Sequence, residues 1–172
     1  MARDESCHVM KIFVTGATGF VGREVLPLLH ERGHSIIALT RDAERASVSL
    51  PVVREIVEGD PQQSGGWVRK LEGVDAVLHL AGENVVGRWT AYRKREIARS
   101  RIESTRNLIQ AFKKLGQKPS VFVSASAIGY YGDRGDDELN ENSIPGTGFL
   151  AEVCQDWEKE IFRAMDSGTR TV

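Results

Sequence analysis

The stretch "MKIFVTGATGFVG", Met10 to Gly22, decides how the rest of the chain is read. An apolar run with β-type residues stops at Gly16, glycine returns at Gly19 and Gly22, and a segment of helical period, "VGREVLPLLHERG", follows at once. Glycine spacing alone marks only a tight turn, since glycine is the default wherever backbone bends sharply or approaches something closely. Placed between a strand and an amphipathic helix, three glycines have separate uses. Gly16 permits the turn, Gly19 lets backbone approach a pyrophosphate, and Gly22 lets helix and strand pack, with the unpaired N–H groups of the helix start facing the anion. A purely structural turn needs one glycine rather than three. A triphosphate-binding loop is excluded because Arg23, not Lys-Ser/Thr, follows the last glycine.

Outward from this motif, short β-type runs alternate with helical ones, the pattern of a doubly wound parallel α/β sheet. The strands read as "KIFVT", "SIIALT", "VVREIVEGD", "DAVLHLAG" and "SVFVSAS", with "TRTV" opening a sixth. In the first helix Val21, Val25, Leu28 and Leu29 form the apolar stripe, Gly33 ends it, and Pro27 should remove a hydrogen bond and bend it. "WTAYRKREIARSRIESTRNLIQAFKKLG" is the longest helical stretch, stopped by Gly116 and Pro119, and "FLAEVCQDWEKEIFRAM" is the last. Between the fifth strand and that last helix lies "AIGYYGDRGDDELNENSIPGTG", a polar loop of about twenty residues, a length usually tied to function or motion.

The chain has 172 residues, 41% apolar and 27% charged, which fits one ordinary domain. A net charge of -1 gives no basic surplus for nucleic acid or an anionic membrane. The basic run "YRKREIARSR" has interleaved acids and reads as a solvated helix face. Cys7 and Cys154 stand far apart, so neither disulfide framework nor metal site is expected. With no secretory signal and no spanning apolar run, the expected location is the cytoplasm. Residues 1–9 are expected to be a leader outside the fold, vector-derived or disordered, and residues 10–172 the folded domain.

Cofactor choice turns on the end of the second strand, where an acidic residue would hold the ribose 2′-hydroxyl of NAD. Here the order is Thr40, Arg41, Asp42. A guanidinium at Arg41 suits a 2′-phosphate, with Thr40 as a further donor, so NADP is expected and NAD, through Asp42, is the alternative. The plain alternative for Arg41 is a surface loop residue.

"VTGATGFVG", "VEGD" (Val57–Asp60), "LHLAG" (Leu78–Gly82) and "SASAIGYYGD" (Ser124–Asp133) together resemble the short-chain dehydrogenase/reductase superfamily, in its extended, epimerase-like branch. "AGENVVGRW", "SRIEST" and "FLAEVCQDWE" narrow the likeness to an atypical family described as nucleoside-diphosphate-sugar-epimerase-like. The resemblance implies a Rossmann fold whose cofactor lies against Gly16, Thr18, Gly19, Phe20, Val21, Gly22, Thr40, Arg41, Asp60, Ala81, Gly82, Arg101 and Ser124. It implies a pocket over the nicotinamide for a small-molecule substrate. Arg101, where relatives commonly carry Asn, suits an anionic or nucleotide-linked sugar; Asn84, Arg88 and Trp89 are further pocket candidates. Relatives continue into a small C-terminal substrate domain, so a fragment is expected, and their long helices form a dimer face, so a homodimer is expected through residues 90–115 and 148–166.

Extended members use a Ser, a Tyr and a Lys four residues after it, the Lys lowering the phenol's pKa so that Tyr moves a proton during hydride transfer. Ser126 matches the serine, but Phe149 and Val153 stand at the Tyr and Lys positions. Neither carries a proton. The likeness places the Phe149 ring near Ser126, with Val153 one turn along. Tyr130, Tyr131, Glu83 and Asp133 are the substitute acid/base candidates, Tyr131 foremost because it lies just past Ser126. Three readings stay open: an oxidoreductase or epimerase with a recruited acid/base, a cofactor-binding protein without turnover, and a scaffold that associates through its helices.

Overall fold

A computed structural model describes residues 8–172. The expected leader lies outside the described residues up to residue 7, as does Cys7; residues 8 and 9 have no regular structure. Strands β1 (Lys11–Thr15), β2 (Ser35–Thr40), β3 (Glu55–Glu58), β4 (Ala76–His79), β5 (Val121–Ser124) and β6 (Arg170–Thr171) form one sheet in the order β3-β2-β1-β4-β5-β6. Every pairing is parallel. Helices α1 (Phe20–Glu31), α2 (Ala43–Ser49), α3 (Ala91–Phe112) and α4 (Phe149–Phe162) join them. This is the expected doubly wound Rossmann architecture, and its order reverses between β1 and β4, where the carboxyl ends of the strands open a crevice.

Alternate residues of the central strands feed two cores. Phe13, Ile37 and Val77 meet Phe112, Phe122, Trp157 and Ile161 beneath α3 and α4. Ile12, Val14 and Ile36 meet Leu26, Ala46 and Leu50 beneath α1 and α2. Sheets buried on both faces produce such continuous apolar strands. β3, β4 and β5 are each shorter than the runs that mark them; one further backbone hydrogen bond follows each, from Gly59 to Thr40, Leu80 to Thr15 and Ala125 to His79, and the chain then leaves the sheet as loop at the crevice.

The first helix corrects the expected stripe. Gly22 and Leu26 are its buried residues, while Val21 and Leu28 are half exposed or more. Gly22 sets this rotation: a Cβ there would lie 2.5 Å from the Ala17 carbonyl oxygen, so the helix packs on its glycine side. Pro27 stays inside α1 on the exposed side, where the carbonyl it leaves unpaired can reach water. The sequence reading does not anticipate α2, seven residues of weak periodicity, or the short 3₁₀ turns at Gly66–Leu71, Ile128–Tyr131 and Met165–Ser167. Among the described residues no helix is long and apolar enough to cross a membrane.

Candidate functional site

At the crevice the chain leaves β1 through Gly16 with φ +73°, a region that L side chains avoid. A Cβ there would sit 2.5–2.6 Å from backbone atoms of Leu80 and Ala81 at the end of β4. The turn therefore brings the two strand ends together. Gly19 caps α1 with no side chain in the way, and the first turn of α1 has no acidic residue, leaving its N–H groups and dipole open to an anion.

A groove of about 390 Å³ runs over this turn. Of the expected cofactor residues, Gly16, Thr18, Gly19, Thr40, Arg41, Asp60, Ala81 and Gly82 line it. Phe20, Val21, Gly22, Arg101 and Ser124 do not: Phe20 and Val21 face outward, Gly22 is buried where α1 packs on the Gly16–Ala17 backbone, and Ser124 holds the Ala125 carbonyl with its hydroxyl. Sequence reading misses Arg23, Arg45 and Ser49, which also line the groove. Arg23, Arg41 and Arg45 make no ion pair with any described carboxylate, whereas seven other basic side chains do. Asp42 caps α2, its carboxylate accepting the Arg45 N–H at 2.9 Å. Thr40 turns its hydroxyl onto the same turn, 3.3 Å from the Asp42 nitrogen and carbonyl.

The groove's floor is fixed by a buried chain of hydrogen bonds. Ala81 N–H donates to Thr15 Oγ1 (3.3 Å), and Thr15 Oγ1 lies 2.6 Å from His79 Nδ1. His79 Nε2 lies 3.2 Å from Ser104 Oγ, which gives its own proton to the Ser100 carbonyl at 2.5 Å. That assigns the ring proton to Nε2 and makes Nδ1 the acceptor. Complete burial pushes the imidazole pKa down to about 3, so the ring is neutral.

Ser126 and Tyr131 meet in a second hollow with Ala127, Ile128, Tyr130, Glu141 and Glu158. The Ser126 hydroxyl donates to Glu158 at 2.5 Å. Phe149 goes elsewhere: its ring packs edge-on against Trp89 at 5.5 Å and under the Lys94 ammonium at 5.2 Å. Phe149 and Glu158 are nine positions apart on α4, about 180° round the helix, so they project from opposite faces. The expected contact of Phe149 with Ser126 does not form. Val153 is buried, as helix packing requires. Nothing in the sequence marks Glu158, because only the fold of the loop along α4 brings it to Ser126.

Other candidates are already engaged. Glu83 pairs with Arg93 at 2.6 Å, and Asp133 accepts the Gly135 N–H inside its loop. Asn84 accepts the Val86 N–H, Arg88 is exposed, and Trp89, 40% exposed, donates to the Val85 carbonyl.

Comparison with known proteins agrees with this geometry. The sequence model of the NAD dependent epimerase/dehydratase family matches residues 12–149. A chloroplastic epimerase family protein of Arabidopsis thaliana, the SDR39U1 homolog, is 36% identical over 157 residues, covering 90% of this chain and 45% of the relative. The crystal structure of a nucleoside-diphosphate sugar epimerase from Corynebacterium glutamicum superposes with TM-score 0.75 at 34% identity, over 96% of this chain and 33% of that one. Human SDR39U1, solved with NADPH, superposes with TM-score 0.72 at 29% identity, over 88% of this chain and 48% of that one. The chain thus spans about half the length of the curated relatives it matches. A family match across residues 12–149, most of the fold, puts the chain in the NAD dependent epimerase/dehydratase family.

Proposed function

We propose that the chain binds NADP(H) and serves an epimerase-like oxidoreductase of the short-chain dehydrogenase/reductase type. The observation that carries this reading is the division of labour at the end of β2. All three residues line the groove, but Asp42 has one carboxylate oxygen taken by the cap of α2, while Arg41 and Arg45 have no described acidic partner. A ribose 2′-hydroxyl would need the carboxylate; a 2′-phosphate needs the guanidinium groups. The glycine turn, with no side chain at Gly19 and no acidic residue in the first turn of α1, suits the diphosphate, and Asp60 and Ala81 suit the adenosine and nicotinamide sides. NADPH in the human relative points the same way.

When bound, the dinucleotide supplies hydride chemistry at its nicotinamide. This chain's residues hold it and exclude water along the groove floor. Tyr131 and Ser126 are the phenol and hydroxyl placed together for proton movement at a substrate oxygen, in a hollow with Glu158. A second reading, cofactor binding without turnover, draws on Phe149 and Val153, which leave α4 with no proton carrier at the positions the resemblance marks.

Titrating the chain with NADPH and NADH tests the cofactor. NADPH should bind more tightly, and Arg41→Ala should weaken it by about ten- to a hundredfold, since hydrogen bonds to charged groups contribute about 1.5–3 kcal/mol. NADH should scarcely respond. Equal losses would sink the 2′-phosphate reading, and NADPH-dependent reduction of any carbonyl would remove the reading without turnover.

A further inference from the structure

Two cations on one face of α3 make no ion pair among the described residues, although Glu83 stands close enough to act on Arg101 through space. Lys94 and Arg101 are seven positions apart, about two helical turns, so they share a face. Each lies over an aromatic ring of α4: Lys94 over Phe149 at 5.2 Å, Arg101 over Trp157 at 5.5 Å. Lys94 stands at the rim, whereas Arg101 is drawn in deeply enough for loss of water to lower its pKa. Proteins rarely bury a guanidinium without a carboxylate, because desolvation is costly.

The hydrogen bonds of Arg101 are one-sided. Nη1 donates to the carbonyls of Glu83 (3.0 Å) and Ile97 (3.1 Å) and stands 3.5 Å from Ser100 Oγ. The Nε–H and both protons of Nη2 have no acceptor among the described residues. Yet no buried side-chain polar atom there lacks a partner, so this edge reaches solvent. It is the edge whose parallel N–H groups match a carboxylate or phosphate bidentately. Gly82 makes the position available: a Cβ at Gly82 would lie 3.1 Å from Cζ and 3.2 Å from Nη2, so the guanidinium rests directly on backbone at the end of β4. Gly82, Glu83 and Ser100 line the dinucleotide groove, which places Arg101 of α3 behind its wall, past the end of β4.

We propose that the Nε–Nη2 edge of Arg101 is the receptor for a ligand oxyanion, a carboxylate or phosphate, separate from the diphosphate cradle at Gly16–Gly19. The oxyanion belongs to the substrate, which makes that substrate an anionic one. The assignment to substrate rests on the dinucleotide-binding reading; the receptor itself does not. Phe149 and Trp157 exclude water around the two cations, and Lys94 attracts the anion at the rim.

The test follows the arginine Nε–Hε signals of the ¹⁵N-labelled chain by NMR, with Arg101 assigned by through-bond connectivity. Inorganic phosphate and, separately, acetate are titrated at constant ionic strength, first alone and then with saturating NADP⁺. The Arg101 signal should shift saturably with at least one probe, and should still do so with NADP⁺ present. Arg101→Lys, which keeps the charge and loses the paired edge, should weaken that probe's affinity roughly tenfold, read at the Gly82 amide. An Arg101 signal that stays put, or drifts linearly with those of exposed arginines, would overturn the receptor. A shift that NADP⁺ abolishes would overturn the substrate assignment and give the oxyanion to the cofactor. If NADP⁺ fails to bind, the cofactor reading fails while the titration without it still decides the receptor.

Discussion

Asp42 lines the groove at the end of β2, where an acidic residue would read the ribose of NAD, but one of its two oxygens serves the helix that follows. A carboxylate accepting the Arg45 N–H at 2.9 Å satisfies one of the orphan donors of α2. Asp42→Ala should therefore cost about 0.5–2 kcal/mol of stability, the usual effect of losing a helix cap. NADH and NADPH affinities should keep their ratio; a selective loss of NADH binding would return Asp42 to the ribose. Thr40 and Arg41 are legible in the sequence because a strand end and a glycine motif fix their distance along the chain. Arg45 and Ser49 are not, since "AERASVS" is too short to show a helical period, and without α2 nothing turns Arg45 toward the groove.

At the scale of the element, α4 shows how far a motif can be transferred. Its amphipathic pattern is plain in the sequence, and its register against the sheet follows from Ala151, Cys154, Trp157 and Ile161 all being buried. What Ser126 touches is not plain, because residues 125–131 lie along α4 only after the loop has folded. Ser126 then meets Glu158, while Phe149 turns to Trp89 and Lys94 of the opposite wall. Restoring the missing pair should fail on physical grounds. Val153 is 5% exposed, so Val153→Lys buries an ammonium with no carboxylate provided, a change on the order of several kcal/mol. We expect a fall in Tm of about 10 °C or more, measured by circular dichroism, and no gain of reductase activity in the double variant with Phe149→Tyr. Phe149→Tyr alone should be tolerated, because Phe149 is only partly buried and a hydroxyl there can reach water. A stable double variant that reduces carbonyls would restore the transferred motif.

Across the whole molecule, the alternation of strand and helix carries the topology, since a parallel sheet with right-handed crossovers leaves few arrangements for six strands. The same alternation hides what joins the layers. His79 reads as one more residue in the apolar run "AVLH", yet it ties β4 to β1 through Thr15, to α3 through Ser104, and stacks on Phe122 of β5. Its titration should therefore appear in global unfolding. The imidazole titrates at about 3 in the fold and near 6.5 in the unfolded chain. Between those values the unfolded state holds more protons, so the stability contribution is complete above pH 6.5 and falls with pH toward 3, by about 1.4 kcal/mol per unit at most. Carboxylates add their own slope, so the comparison is with His79→Gln, which keeps a donor and an acceptor but cannot take up that proton. Urea midpoints at about pH 7.5, 6 and 5, spanning the onset of that loss, should show wild type losing more stability than the variant as pH drops. Parallel curves for the two proteins would mean that protonation of the buried ring is not what weakens the fold in acid.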